Sequence, residues 1–355
     1  MAAVVKDNAY GHGMIPVARF LASRVEMLAV AILEEASLLR KAGIRCPVLI
    51  MNGLWPGQEM ECLERNAVAA VSSWESLWLL EKAAQSKDHS YVYHLKLDTG
   101  MHRWGIPLEE LETFLEKAAG LHYMQCAGLL THLACADELD PSFTRRQLEL
   151  FRHAVSRVQE RGIPLQWIHA ANSAGVMYHF DSHFNLVRPG IALYGYDPRG
   201  ENAAGRLQPV LSLKSRIAMV KRIKAGDSIG YGASHVLNRN ADVAVIPVGY
   251  GDGYSRLLSD RSSVLIGDQY APVIGRVSMD AITADVSRIP EATVGREVVL
   301  LGGTRSNRIW ADHLARQIGT IPYEILTNLS PRIGRIYLHR SGDTLPSNPF
   351  NSRQQ

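Results

Sequence analysis

Up to about residue 200, eight short apolar runs alternate with amphipathic stretches, polar residues gather where those runs end, and near residue 206 the alternation gives way to strands and turns. Together these three observations predict an α/β chain: a (β/α)8 TIM-type barrel over 1–205, then a mainly β second domain over 206–342 and a disordered tail over 343–355. At 355 residues the chain is too long for one ordinary core, which also favours two domains.

The eight runs are "AAVVK" at 2–6, "MLAVAI" at 27–32, "PVLIM" at 47–51, "AVAAV" at 67–71, "YVYHLKLD" at 91–98, "CAGLLTH" at 126–132, "QWIHAAN" at 166–172 and "FNLVRPG" at 184–190. Continuous apolar runs of this length suit strands buried on both faces. The stretches between them, such as Glu34 to Ala42 and Phe143 to Arg161, carry apolar residues at helical spacing. Beyond about 206 the segments "LKSRIAMVKRI", "ADVAVIPVGY", "SSVLIGDQYAPVIGRVSM" and "REVVLLGG" read as strands joined by turns, with one short helix through "WADHLARQIG". The closing "SGDTLPSNPFNSRQQ" has a composition that does not build a core.

Composition narrows the function classes. The net charge is +3 and the Lys and Arg residues are scattered, so there is no electrostatic footprint for nucleic acid. The cysteines at 46, 62, 126 and 135 form no C-x-x-C pair and have no histidine at ligand spacing, which argues against a metal site or a disulfide framework and fits a reducing cytoplasm. No apolar run reaches the length of a membrane span, and the first residues lack the regions of a signal peptide. A soluble protein acting on small molecules is expected.

Barrels of this type carry their chemistry where strands end at the C-terminal rim. The polar residues fall there: Lys6 after the first run, Lys96, Asp98 and Arg103 after the fifth, His132 after the sixth, His169, Asn172 and Ser173 after the seventh, Arg188 and Gly190 after the eighth. Singly, each has an ordinary structural reading: a solvated strand-end lysine, a satisfied core histidine. Five polar strand ends on one rim point to a site. A rim lysine can bind a phosphate, pair with a carboxylate or form a Schiff base. "HAANSAG" offers a hydroxyl among small residues and "RPGIALYG" offers exposed amides, and the last strands of such barrels are the usual phosphate site. A phosphorylated cofactor that condenses with lysine is pyridoxal 5'-phosphate.

At this point the sequence resembles the alanine racemase family, fold-type III pyridoxal-phosphate enzymes. "AVVKDNAYGHG" is similar to the family's cofactor-lysine motif, with Asp7 where alanine is more usual. "LKLDTGMHRWG", "THLACADE", "HAANSAG", "VRPGIALYG", "GYGASH", "VGYGDGY", "GRVSMD" and "PYE" follow in the family's order. The resemblance implies that Lys6 is the Schiff-base lysine and one of two catalytic bases, and that Tyr231 is the other. It implies a phosphate held by Tyr10, Ser173, Tyr323 and the amides around Gly190 and Ile191, with Arg188 facing the pyridine nitrogen and steadied by His169. Arg103 would position Tyr231 and the substrate carboxylate, His132 would support Tyr231, the Met279 amide would help hold the carboxylate, and Lys96 matches a lysine that is often carbamylated. Tyr231, Tyr250, Arg256, Arg276 and Met279 would reach the partner's active site in a homodimer. Tyr250, Arg256, Arg276 and Asp137 would line the substrate access channel.

Racemisation takes a proton from one face of Cα and returns one to the other, so two bases on opposite faces are expected. The implied role is supply of D-alanine for peptidoglycan. The alternatives are a serine/alanine racemase domain of a vancomycin-resistance-type protein and a non-enzymatic pyridoxal-phosphate-binding protein. Barrel-type decarboxylases usually place a catalytic cysteine in the second domain, whereas all four cysteines here precede 206. Serine racemases of the vancomycin-resistance type tend to carry asparagine where this chain has Tyr323. The family also carries a helix and strand ahead of the lysine strand, so the sequence is expected to lack a leading segment.

Overall fold

The computed structural model describes residues 1–200, 207–304, 306–338 and 344–347. They form two compact units. The first holds Met1–Ala9, Gly13–Leu193 and Asp197–Arg199; the second holds Tyr10–His12, Tyr194–Tyr196 and the chain from Gly200 onward.

In the first unit, β1 (Ala2–Val4), β2 (Met27–Val30), β3 (Val48–Ile50), β4 (Val68–Val71), β5 (Tyr91–Asp98), a two-residue β6 (Ile106–Pro107), β7 (Met124–Leu130) and β8 (Trp167–His169) are all parallel. The sheet runs β1-β2-β3-β4-β5-β7-β8, with β6 beside β5. Helices return the chain between strands. Along Ser142–Glu160 the buried residues Thr144, Gln147, Leu148, Phe151, Ala154, Val155 and Val158 recur every three or four positions, which makes one face apolar enough to cover the sheet. Burial of a side chain such as Phe151 contributes about 1.5–3 kcal/mol.

The eighth expected strand is corrected. Residues 184–190 form no regular strand, although they do close the ring: Ala2 N donates to Val187 O at 2.8 Å and Val4 N to Pro189 O at 3.1 Å, while Asn185 N reaches Ile168 O at 3.3 Å and Arg188 N reaches Ala171 O at 2.9 Å. Pro189 has no N–H to extend a ladder, and Phe184 enters with a φ of 46°, so closure rests on isolated bonds to both neighbours.

The ladder between β5 and β7 slips by one residue. Tyr93 pairs with Cys126 but His94 pairs with Gly128, a bulge that leaves Ala127 unopposed and re-aims the side chains around it.

The second unit is antiparallel. Met219–Ile223, Ala241–Ile246 and Ile282–Asp285 make one sheet; Gln269–Pro272, Ser263–Ile266, Glu297–Gly303 and Arg308–Ile309 make another, with Leu213–Arg216 also pairing to Glu297–Gly303. Ile229, Leu237, Ala241, Val243 and Ile274 form a buried cluster. The expected short helix spans Ala311–Ile318 and stops at Gly319, whose φ of 72° only glycine adopts without strain. Thr344–Ser347, inside the stretch expected to be disordered, pairs with Arg335–Leu338; residues 348–355 lie outside the described residues. Among the described residues no helix is long and apolar enough to cross a membrane.

Candidate active site

Lys6 stands just past β1, at the start of an unusual turn. Asp7, Asn8, Ala9 and Tyr10 have φ of 51°, 54°, 54° and 51°, four successive non-glycine residues in the left-handed region. Each costs about 1–2 kcal/mol, so neighbouring groups must hold them there. Asp7 N donates to Glu35 Oε1 at 2.7 Å, and Glu35 Oε2 accepts from Ala31 N at 2.7 Å. Ala9 N bonds Val5 O at 2.9 Å, Gly13 N bonds Asn8 O at 2.8 Å, and Asn8 Oδ1 accepts from Met14 N at 2.9 Å. Burial pushes the Glu35 carboxyl up despite those amides. The Lys6 Nζ lies 3.8 Å from Asp7 Oδ2, with both side chains partly exposed.

Arg188 and His169 are buried together. Arg188 Nη1 donates to His169 Nδ1 and to His169 O, both at 2.8 Å; Nη2 donates to Thr131 O at 2.6 Å and Ala170 O at 3.1 Å. The four terminal N–H groups are thereby held by the barrel wall, and Nε–H remains as the donor for a ligand. Burial lowers the guanidinium to about 10, so it stays charged at neutral pH. His169 is held well below the ordinary histidine range by burial and then by Arg188, and its Nε2 lies 2.9 Å from His94 Nδ1.

Ser173 opens the short helix Ser173–Tyr178, capped by Asn172, whose Oδ1 accepts from Gly175 N at 2.9 Å. Ser173 Oγ accepts from Gly190 N at 2.8 Å and Ala192 N at 3.2 Å. The expected residues Ser173, Gly190 and Ile191 are thus brought together, and the Ser173 hydroxyl hydrogen is left to donate.

Lys96 is 5% exposed and donates to Met51 O at 2.9 Å. Burial, then the charges of Arg188, Arg103 and Lys6, pull its amine down to about 7. Burial and the cations Arg188, Lys96, Arg103 and Lys6 hold His132 well below its ordinary value. Trp104 lies between two of these cations, with Lys96 Nζ 5.7 Å and Arg103 Cζ 5.4 Å from its ring centre. Asp98 is turned to the amides of Gly100, Met101 and His102. Arg188, Arg103 and Lys6 thus act electrostatically on both Lys96 and His132. Asp137 is exposed, and its carbonyl accepts from Arg199 Nε at 3.0 Å.

The remaining predicted residues belong to the second unit. Tyr10 stacks on Tyr194 with centroids 4.9 Å apart and lies 6.0 Å from Tyr323, so the two expected phosphate tyrosines share one aromatic group. Tyr231 is flanked by Gly230 and Gly232; a Cβ on Gly232 would sit 3.0 Å from Arg276 Nη1, which places Arg276 against this turn. Tyr250 N donates to Ser278 O and Gly251 N to Met279 O, both at 3.0 Å. Gly249 is required there, because a Cβ would come within 2.3 Å of both carbonyls. Arg256 is exposed, its carbonyl accepting from Ser259 Oγ, which in turn accepts from Val277 N at 2.9 Å.

Sequence reasoning passed over His94, Glu35 and Thr131. The first had a signal: His94, Lys96 and Asp98 alternate on β5 and share one face.

The alanine racemase N-terminal domain profile matches residues 1–198 and the C-terminal domain profile matches 210–337. The chain belongs to the alanine racemase family. It is 44% identical to an alanine racemase of Syntrophobacter fumaroxidans over 92% of this chain and 87% of that one, and 43% identical to one of Geobacter sulfurreducens over 96% and 90%. Among solved structures it is similar to the Clostridium difficile alanine racemase, with a TM-score of 0.92 and 31% identity over 98% of this chain and 91% of that one. The Bartonella henselae alanine racemase with covalently bound pyridoxal phosphate matches with a TM-score of 0.85 at 30% identity over 95% and 92%. Alanine racemases are pyridoxal-phosphate-dependent isomerases. The residues present fit that cofactor: a strand-end amine at Lys6, a buried guanidinium with Nε–H to give, and a hydroxyl among amides at Ser173.

Proposed function

We propose that this chain interconverts L-alanine and D-alanine with Lys6 and Tyr231 as the two bases. The observation that carries the reading is Arg188, fully engaged by its terminal N–H groups and presenting Nε–H. When bound, pyridoxal phosphate withdraws electrons from the substrate and makes its α-hydrogen acidic. Tyr231 Oη takes that proton from one face while Lys6 Nζ delivers one to the other, and proton exchange with solvent resets both groups before the next turnover in the same sense. Arg188 remains protonated, so it orients the ring nitrogen without surrendering a proton, which disfavours side reactions that need a stronger electron sink.

The Ser173 hydroxyl, fixed by the Gly190 and Ala192 amides, would hold the phosphate together with the Ile191 amide and with Tyr10 and Tyr323. Arg103 and the Met279 amide hold the substrate carboxylate, and His132 supports Tyr231. A carbamate on Lys96 would give Arg103 an anionic partner, and the neutral amine that burial favours is the form able to take up carbon dioxide. Tyr231, Arg276, Tyr250, Arg256 and Met279 serve the site of a second copy in a homodimer, with Tyr250, Arg256, Arg276 and Asp137 lining substrate access. In a cytoplasmic setting the product D-alanine would feed peptidoglycan.

The test is a visible absorbance spectrum of the purified protein, followed by racemisation assays with alanine and serine. Lys6→Ala should remove the visible band and reduce turnover by several powers of ten, about what loss of an anchor and a base together entails. An unchanged band and rate would overturn the assignment.

A further inference from the structure

His94 has no part in the reading above, yet it is 1% exposed and its ring occupies a slot made for it. The bulge at Ala127 puts Gly128 opposite His94, and a Cβ on Gly128 would come within 2.7 Å of His94 Cγ and Cδ2. Any side chain at 128 would push the ring out.

The proton arrangement follows from donor counting. A guanidinium only donates, so His169 Nδ1, 2.8 Å from Arg188 Nη1, must be unprotonated. A neutral imidazole keeps one N–H, which is then on Nε2, 2.9 Å from His94 Nδ1. His94 Nδ1 therefore accepts, and a proton remains on its Nε2. Neither ring is charged: burial and Arg188 lower His94 to about 4 and hold His169 well below the ordinary range.

We propose that His94 is a positioning residue that accepts the His169 Nε2–H, anchors the imidazole whose Nδ1 faces Arg188, and so holds the guanidinium in place for the cofactor's ring nitrogen. The proposal rests on the role given to Arg188 in the proposed function. Packing alone would require only a ring of this size in the slot. Anchoring His169 through its Nε2–H requires an acceptor at His94 Nδ1.

The test compares His94→Phe, which keeps a ring without an acceptor, with His94→Gln, which can offer a carbonyl oxygen, and with Gly128→Ala, which displaces the ring and alters no hydrogen-bonding atom. Nitrogen NMR of protein carrying 15N-labelled histidine, with His169 assigned through His169→Gln, reads the hydrogen bonding of the His169 Nε2–H directly in the purified protein. Affinity of the cofactor-free form for pyridoxal phosphate is the second readout.

We expect the His169 Nε2–H to be hydrogen-bonded in the natural protein and to lose that bond in His94→Phe and Gly128→Ala, with Nδ1 unprotonated throughout because Arg188 faces it. Cofactor affinity should fall roughly tenfold in both, the effect of leaving one buried donor unpaired, and should be largely recovered in His94→Gln. An unchanged His169 Nε2–H signal in His94→Phe and Gly128→Ala would overturn the proposal, as would a changed signal with unchanged affinity. Arg188→Lys separates the two ideas: if it too leaves affinity unchanged, the role of Arg188 itself fails, whereas a weakened Arg188→Lys beside an unaffected His94→Phe rejects His94 alone.

Discussion

In the barrel unit Arg188, His169, Ser173 and Lys96 keep 3, 0, 4 and 5% of their surface, whereas in the β unit Tyr231, Met279 and Tyr250 keep 71, 53 and 43%. The first set is bonded to itself and to the barrel wall, and burial leaves its mark on protonation: a lysine near 7, an arginine near 10, histidines held neutral. The second set sits on loops fixed through their backbones, with side chains directed outward. The barrel set is buried and bonded, as the proposed cofactor-holding role would need. The exposure of Tyr231, Met279 and Tyr250 is what the proposed homodimer with shared sites would need.

The sharpest way to break this comparison is to separate the two halves genetically. Lys6→Ala and Tyr231→Phe should each be nearly inactive in racemisation, by about two to four powers of ten or more, although Tyr231→Phe should retain solvent exchange of the α-proton of D-alanine at Lys6. Mixing the two subunits under exchanging conditions should restore about a quarter of natural activity, because half the dimers are mixed and each has one intact site. No recovery on mixing would place both bases within one chain.

A second test addresses the burial of the barrel half. The Lys96 amine, ordinarily at 10.5, lies near 7 when folded, so between those values the unfolded chain binds more protons and stability rises with pH. The penalty is fully present below about pH 7 and fades towards 10.5. In carbon-dioxide-free buffer, Lys96→Met should therefore stabilise the fold by about 4 kcal/mol at neutral pH and below, with the gain shrinking as pH rises. Denaturant unfolding at about pH 6 and about pH 10 reads the difference. A gain independent of pH would show that Lys96 is not held neutral.

The smallest effect concerns Tyr323, in the aromatic group with Tyr10. A phenol ring fills the space beside a methyl group, whereas asparagine leaves room and offers both a donor and an acceptor to a hydroxymethyl group. The natural protein should prefer alanine over serine by about one to two powers of ten in kcat/KM, and Tyr323→Asn should shift that ratio towards serine by a similar factor. Equal rates with both substrates, or an unchanged ratio in the variant, would remove Tyr323 from the choice.

Much of the barrel was legible because strands buried on both faces write themselves as apolar runs, and because the residues proposed to be reactive stand where those runs stop. The last run misled, since an extended segment containing Pro189 carries the same apolar signature as a strand without being able to form a ladder. His94 was missed for a different reason: a histidine inside an apolar strand looks like core until its partner 75 residues away, His169, is known. The turn at Asp7–Tyr10 is illegible in principle, because none of those residue types except Asn8 and Asp7 favours left-handed backbone, and one of the groups that hold it, the Glu35 carboxylate on the Asp7 amide, is supplied by another element.

The closure of the ring also sets an order of events during synthesis. β1 gains its partner β2 after about thirty residues, but its other edge is completed only by the carbonyls of Val187 and Pro189. At a ribosomal pace of about 5–20 residues per second, that edge waits roughly 10–40 s for its partner to be made. During that interval the strand leading to Lys6 is an open template for pairing with a neighbouring chain, and the yield of correctly closed barrels becomes a race between elongation and association.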